Sequence, residues 1–155
     1  MDAQPDSWPP VEMSLRHRRP GDGDQKVASM RGAWMEIDLG AIAANMRALR
    51  SFVNRRSRVM AVVKADGYGH GASRVARTAL AAGADWLGVA TVAEALRLRE
   101  LGVHQPILLL GLVVPEACEQ ALHADLHLTV SDAWHLEACE AAARVVGRPA
   151  HVHLK

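Results

Sequence analysis

VMAVVKADGYGHG, residues 59–71, is the stretch on which the fold turns. It starts as an apolar, β-branched run and ends in a glycine-rich turn, the signature of a buried strand passing into a loop. Side chains alternate across a strand, so Met60, Val62 and Lys64 share one face and Ala61 and Val63 the other. If Ala61 and Val63 meet covering helices, Lys64 points away from them at the carboxyl end of its strand. A lysine in that place has few structural uses. Burial disfavours the charged amine, and a neutral amine is a nucleophile toward aldehydes. The bland alternative is a strand-end lysine whose stem lies on the protein and whose ammonium reaches water. Gly67, Gly69 and Gly71 let the backbone turn sharply and approach a ligand. Tyr68, the chain's one tyrosine, follows Lys64 by four residues, and its hydroxyl suits a phosphate oxygen. A helix expected to start near His70 would add its positive amino end.

Downstream the same unit repeats. WLGVA (86–90), ILLLG (107–111) and LHLTV (126–130) are apolar runs of strand length, and HVHLK (151–155) opens a fifth. Helical spacing fills the intervals. Val75, Ala79 and Leu80 mark a helix stopped near Gly83. Thr91 and Glu94 form a capping box for TVAEALRLREL, and Gly102 follows its last turn. Pro115 suits the first turn of PEACEQAL. Ser131 is the expected cap of a helix with Leu136, Cys139, Ala143 and Val146 on its buried face, ended by Gly147 and Pro149. Upstream, AWMEI (33–37) reads as a short extended piece. It leads into a helix opened by Asp38, with Ile42, Met46, Leu49 and Val53 facing inward.

Continuous apolar strands alternating with helices predict a parallel sheet covered by helices. No G-x-G-x-x-G follows the first strand, and the connections are short and regular. A (β/α) barrel of the TIM type is therefore expected rather than a dinucleotide-binding open sheet. Five units fall short of the eight that close such a barrel, which takes about 250 residues. The expected domain is an incomplete barrel over residues 31–155, behind a polar leader over 1–30 rich in Pro, Gly, Asp and Arg.

Composition narrows the partners. Eighteen basic and 17 acidic residues leave a net charge of +1, which gives no electrostatic reason for nucleic acid or an anionic membrane. No apolar run is long enough to span a bilayer, and the front end lacks the apolar centre of a secretory signal, so a cytoplasmic protein is expected. Cys118 and Cys139 lie in helical segments without metal-like spacing and read as two small buried thiols. His123 and His127 are four apart, but the strand over 126–130 breaks the helical geometry. With His70, His104 and His135 in loops or helix starts, no metal site is expected.

AVVKADGYGHG (61–71) resembles the pyridoxal-phosphate (PLP) attachment signature of the alanine racemase family. WMEIDLGAIAANMRALR (34–50) is similar to that family's opening strand and first helix, and HVHLK to the start of a later segment. The resemblance runs from about Trp34 to the last residue. It implies that Lys64 binds PLP as an internal aldimine and is one of two catalytic acid/bases. It implies that Tyr68 contacts the cofactor phosphate. Lys155 matches a lysine that, in some members, is carbamylated and orients the substrate-binding arginine. The implied activity is interconversion of L- and D-alanine, supplying D-alanine for peptidoglycan, in a homodimer. The family's second base, a tyrosine of a C-terminal β-rich domain, and its substrate arginine have no counterpart here. A fragment that is poorly stable and inactive alone is expected. The alternatives are a non-catalytic PLP-binding barrel, whose members usually carry another sequence after the lysine, or an inactive remnant. Serine and broad-specificity racemases share the signature.

Overall fold

The structure, a computed structural model, describes residues 35–155. The leader expected over 1–30, and Ala33 and Trp34 of the extended piece, lie outside the described residues; Met35–Asp38 carry no regular secondary structure. Five parallel strands form one sheet in chain order: β1 (Met60–Val62), β2 (Trp86–Val89), β3 (Ile107–Leu112), β4 (Leu126–Val130) and β5 (His151–Leu154). Helices α1 (Leu39–Phe52), α3 (Ala72–Ala81), α4 (Val92–Glu100), α5 (Pro115–His123) and α6 (Ala133–Val146) precede and separate them. Between β1 and α3 lies α2 (Lys64–Tyr68), a single turn of unusual hand. The strand order never reverses, and reversal is what marks a doubly wound sheet. A run of β/α units in sequential order is an arc of a (β/α) barrel, as expected.

One face of the sheet carries the core. Ala61, Val63, Leu87, Val89, Ile107, Leu109, Leu126, Leu128 and Val130 are buried there. Small helix residues meet them: Ala76 and Ala79 of α3, Ala95 of α4, Cys118 and Ala121 of α5, Cys139 and Ala142 of α6. Side chains this short let helices approach the strands closely, which suits close packing. The other face presents Met60, Val62, Trp86, Leu108, His127, His151 and His153, residues that share the alternate register.

Local chemistry sets the helix ends. Asp38 accepts the Ala41 N–H at 2.9 Å and opens α1. Thr91 and Glu94 make the expected capping box on α4. Pro115 starts α5, and Gly147, at φ 73°, ends α6. Ser131 is not the cap of α6: Asp132 accepts the His135 N–H at 2.9 Å, and the Ser131 hydroxyl donates to Asp132. A carboxylate is the stronger acceptor for helix-end N–H groups. Leu49 and Leu136, expected inward, are 43% and 50% exposed. They sit on apolar stripes at helical spacing, but α1 packs chiefly on α3, and α6 chiefly on α5, through smaller patches centred on Met46 and on Cys139 and Ala142.

Two charged side chains tie loops together. Asp85 accepts from the Val59 N–H at 2.8 Å and from Arg50 at 3.1 Å, joining the end of α1 to the start of the sheet. Arg99 donates to the carbonyls of Val103, Gln105, Ala124 and Asp125, each at 2.8–2.9 Å. Four carbonyls suit a guanidinium, which has donors and no acceptor.

Cys118 and Cys139 are free and buried. Burial, helped by the adjacent Cys139, pushes the Cys118 thiol up to about 11. Thiolate is the reactive form. At pH 8 the native thiol should react with a disulfide reagent about a hundredfold more slowly than in the unfolded chain; equal rates with and without denaturant would refute this. The neutral thiol binds its proton more tightly when folded. Its contribution to stability therefore holds below the ordinary thiol range and declines as pH rises toward about 11.

Candidate functional site

β1 is shorter than the sequence suggested. It ends at Val62, although the Val63 N–H still reaches the Gly88 carbonyl at 2.8 Å. Lys64 thus lies not on the strand but at the head of α2. The next residues are left-handed: Ala65 (φ 51°, ψ 51°), Asp66 (φ 52°, ψ 45°), Gly67 (φ 64°, ψ 40°) and Tyr68 (φ 55°). Gly69 and Gly71 follow at φ 81° and 85°, and α3 begins at Ala72, two residues beyond the expected His70. Left-handed helical backbone costs an L-residue about 1–2 kcal/mol, so Ala65, Asp66 and Tyr68 together hold several kcal/mol of strain.

A dense set of hydrogen bonds offsets that strain. Within the turn, Gly67 N–H donates to the Val63 carbonyl, Gly69 N–H to Ala65 and Gly71 N–H to Asp66, at 2.9–3.0 Å. The Asp66 carboxylate accepts the Ala72 N–H at 2.8 Å and so caps α3 from inside the loop. His70 Nδ1 lies 2.9 and 3.0 Å from the carbonyls of Gly67 and Tyr68. Both are acceptors only, so Nδ1 carries the proton. From outside, Glu94 accepts the Ala65 N–H at 2.7 Å.

The turn brings Tyr68 back beneath Lys64. The Lys64 Nζ stands over the phenol ring, 5.9 Å from its centroid, within cation–π range. Lys64 is half-buried and Tyr68 is 59% exposed, so amine and phenol share one accessible corner at the carboxyl end of β1. That end of the strands is where barrel enzymes keep their chemistry. A Cβ on Gly69 or Gly71 would meet nothing within 4 Å, which leaves open room beside the turn. Lys64 and Tyr68, the two candidates singled out by the sequence, are brought together here, and Asp66 and Glu94, which were not singled out for this turn, hold it in place. An acidic residue among alternating glycines was the available signal for Asp66.

Lys155 is not brought to this corner. It is exposed, one residue past β5, on the opposite edge of the sheet from β1. Its backbone extends the ladder, with its N–H on the Val130 carbonyl at 2.9 Å. The open face holds another group. Trp86 and His127 rings are 4.5 Å apart, and His127 stacks on His151 at 4.8 Å, with His153 at 5.5 Å from both His127 and Trp86. Burial, then the neighbouring His151 and His153, lowers the His127 pKa and favours its neutral form. The Trp86 indole N–H is buried without an acceptor. By register Trp86 is level with Met60, and His127 and His151 with Val62, the last residue of β1. Among the described residues, no group of three His, Cys, Asp or Glu side chains is placed to hold a metal ion. Nor is any described helix long and apolar enough to cross a membrane.

The sequence profile described as alanine racemase, N-terminal domain, matches residues 37–155. The chain belongs to that family. Alanine racemase 1 of Oceanobacillus iheyensis is 49% identical over 130 residues, which cover 84% of this chain and 35% of the relative. An alanine racemase of Mycolicibacterium smegmatis is 51% identical over 130 residues, 83% of this chain and 33% of that protein. Among solved structures, alanine racemase from the D-cycloserine-producing Streptomyces lavendulae superposes with a TM-score of 0.70 at 46% identity, over 75% of this chain and 30% of that one. A histidine racemase from Leuconostoc mesenteroides matches with a TM-score of 0.67 at 31% identity, over 74% and 30%. The chain thus spans about a third of the length of the relatives it matches.

Proposed function

We propose that this chain is the cofactor-binding portion of a PLP-dependent alanine racemase, with Lys64 as the residue that holds the cofactor. The observation that carries the reading is the paired placement of the Lys64 amine and the Tyr68 phenol at the carboxyl end of β1. The corner fits PLP chemically: an amine for the aldehyde, a phenol hydroxyl for the phosphate, and glycine-opened space beside them. When bound, PLP supplies an electron sink that weakens the Cα–H bond of an amino acid. Lys64 would then hold or release a proton at Nζ on one face of the substrate. Inversion needs a second proton carrier on the opposite face, and in this reading Tyr68 is taken by the cofactor phosphate. That carrier, the substrate arginine and a C-terminal β-rich domain belong to the part of the relatives this chain does not span. In this reading Lys155 supports the substrate side from the far edge of the sheet, and the domain boundary stays near residue 31. Alanine is the favoured substrate because most of the named relatives act on it; the histidine racemase shows that the same arc serves other amino acids. A cytoplasmic homodimer that supplies D-alanine for the cell wall completes the proposal.

The test is direct. PLP added to the 155-residue chain should give the visible absorbance of lysine-bound cofactor, and borohydride should fix the label on Lys64. Lys64→Ala should lose both. An unchanged spectrum in that variant would overturn the assignment.

A further inference from the structure

We propose that Glu94 is a positioning residue for Lys64, a role beyond its place in the capping box of α4. The inference rests on Lys64 as the cofactor lysine. Its physical basis is the division of labour between two carboxylate oxygens. Oε2 does the capping: it accepts from the N–H groups of Ala90 and Thr91 at 2.8 and 3.2 Å, while the Thr91 hydroxyl accepts the Glu94 N–H at 3.2 Å. Oε1 is not needed for the cap. It accepts the Ala65 N–H at 2.7 Å, the shortest of the Glu94 bonds, across 29 residues of sequence. A bond from N–H to an ionised carboxylate is among the stronger hydrogen bonds in proteins.

The Ala65 N–H belongs to the peptide unit that Lys64 shares with its neighbour. Fixing that unit fixes the rotation on the carbonyl side of Lys64 Cα and the entry of Ala65 into the left-handed region at φ 51°. The first N–H groups of any helical turn have no partner within the turn. Here Glu94 supplies one, at the residue where the strain begins. Without it, Ala65 is free to relax toward negative φ, the peptide rotates, and the amine leaves its place above Tyr68. Glu94 thus couples the carboxyl ends of β1 and β2, the two strands nearest the corner.

Three variants of the full chain test this: Glu94→Ala, Glu94→Gln and Thr91→Ala. PLP capture at Lys64 is read by visible absorbance and borohydride labelling, and hydrogen exchange is read at the Ala65 amide without cofactor. Glu94→Ala should weaken capture by about tenfold to a hundredfold and speed Ala65 exchange by a similar factor. Glu94→Gln keeps one amide oxygen and should fall between it and the parent. Thr91→Ala removes the cap hydroxyl but not the Ala65 bond, and should leave both readouts at the parental level. Equal losses of capture in Thr91→Ala and Glu94→Ala, or Ala65 exchange unchanged in both Glu94 variants, would overturn the proposal. Should Glu94→Ala not fold, Glu94→Gln decides alone by the same two readouts. If the parent chain captures no PLP at Lys64, the functional reading fails separately, and Ala65 exchange still decides whether Glu94 holds the segment.

Discussion

Gly67→Val is expected to destabilise the chain by about 3–5 kcal/mol and to abolish PLP capture at Lys64. Two costs add. Gly67 sits at φ 64°, inside the left-handed turn, where a β-branched residue is a true outlier. It is also buried, and a new Cβ would lie 3.2 Å from Ala72 Cα and 3.3 Å from its nitrogen. Those neighbours are backbone at the first turn of α3 and cannot swing aside. The variant must either unwind α2 or push α3 from the sheet. Denaturant unfolding followed by far-UV circular dichroism measures the first loss, and the absorbance of lysine-bound PLP the second. Gly69→Ala is the control. Its Cβ would meet nothing within 4 Å, so its cost should be conformational only, about 1–2 kcal/mol. Equal destabilisation by the two substitutions would refute the packing half of this account.

The second large effect is expected at Leu109→Ala. Leu109 is fully buried, at 0% exposure, in β3 at the middle of the sheet and on its helix-covered face. Truncation removes buried methyl groups and leaves a cavity between strand and helices, for about 2–5 kcal/mol. With a urea dependence of about 1–3 kcal/mol per molar, the unfolding midpoint should fall by roughly 1–2 M. Leu154→Ala makes the contrast. Leu154 is in β5, on the same side by register, yet 86% exposed because no described helix covers it. Its loss should shift stability by no more than about 0.5 kcal/mol. Matching midpoint shifts would mean that the helix-covered face is not what holds the sheet.

What was legible in the chain follows from the range of the interactions involved. Strands β2, β3 and β4 were readable because each is a compact apolar run between turn residues. The α4 cap was readable because Thr91 and Glu94 meet across one helical turn. The left-handed course of 65–68 was not, since it depends on an acceptor supplied from α4, 29 residues away. Leu49 and Leu136 were misplaced because periodicity shows which residues share a stripe, not how wide a patch the neighbouring helix covers. Asp132 displaced Ser131 because two adjacent cap residues compete, and the pattern alone does not rank them. At the site, Lys64 and Tyr68 stood out by their spacing, whereas Lys155 gained no contact with them from the folded arrangement.

The alternation along these strands has a consequence for how such a protein changes over generations. A wall one backbone thick separates the methyl groups of Leu87, Ile107 and Leu128 from the Trp86, Leu108 and His127 side chains on the other face. Mutations on the open face leave the packed side untouched, because neighbouring positions on a strand belong to different solvents. A lineage is therefore free to change the open face one position at a time, without having to rediscover how to stay folded.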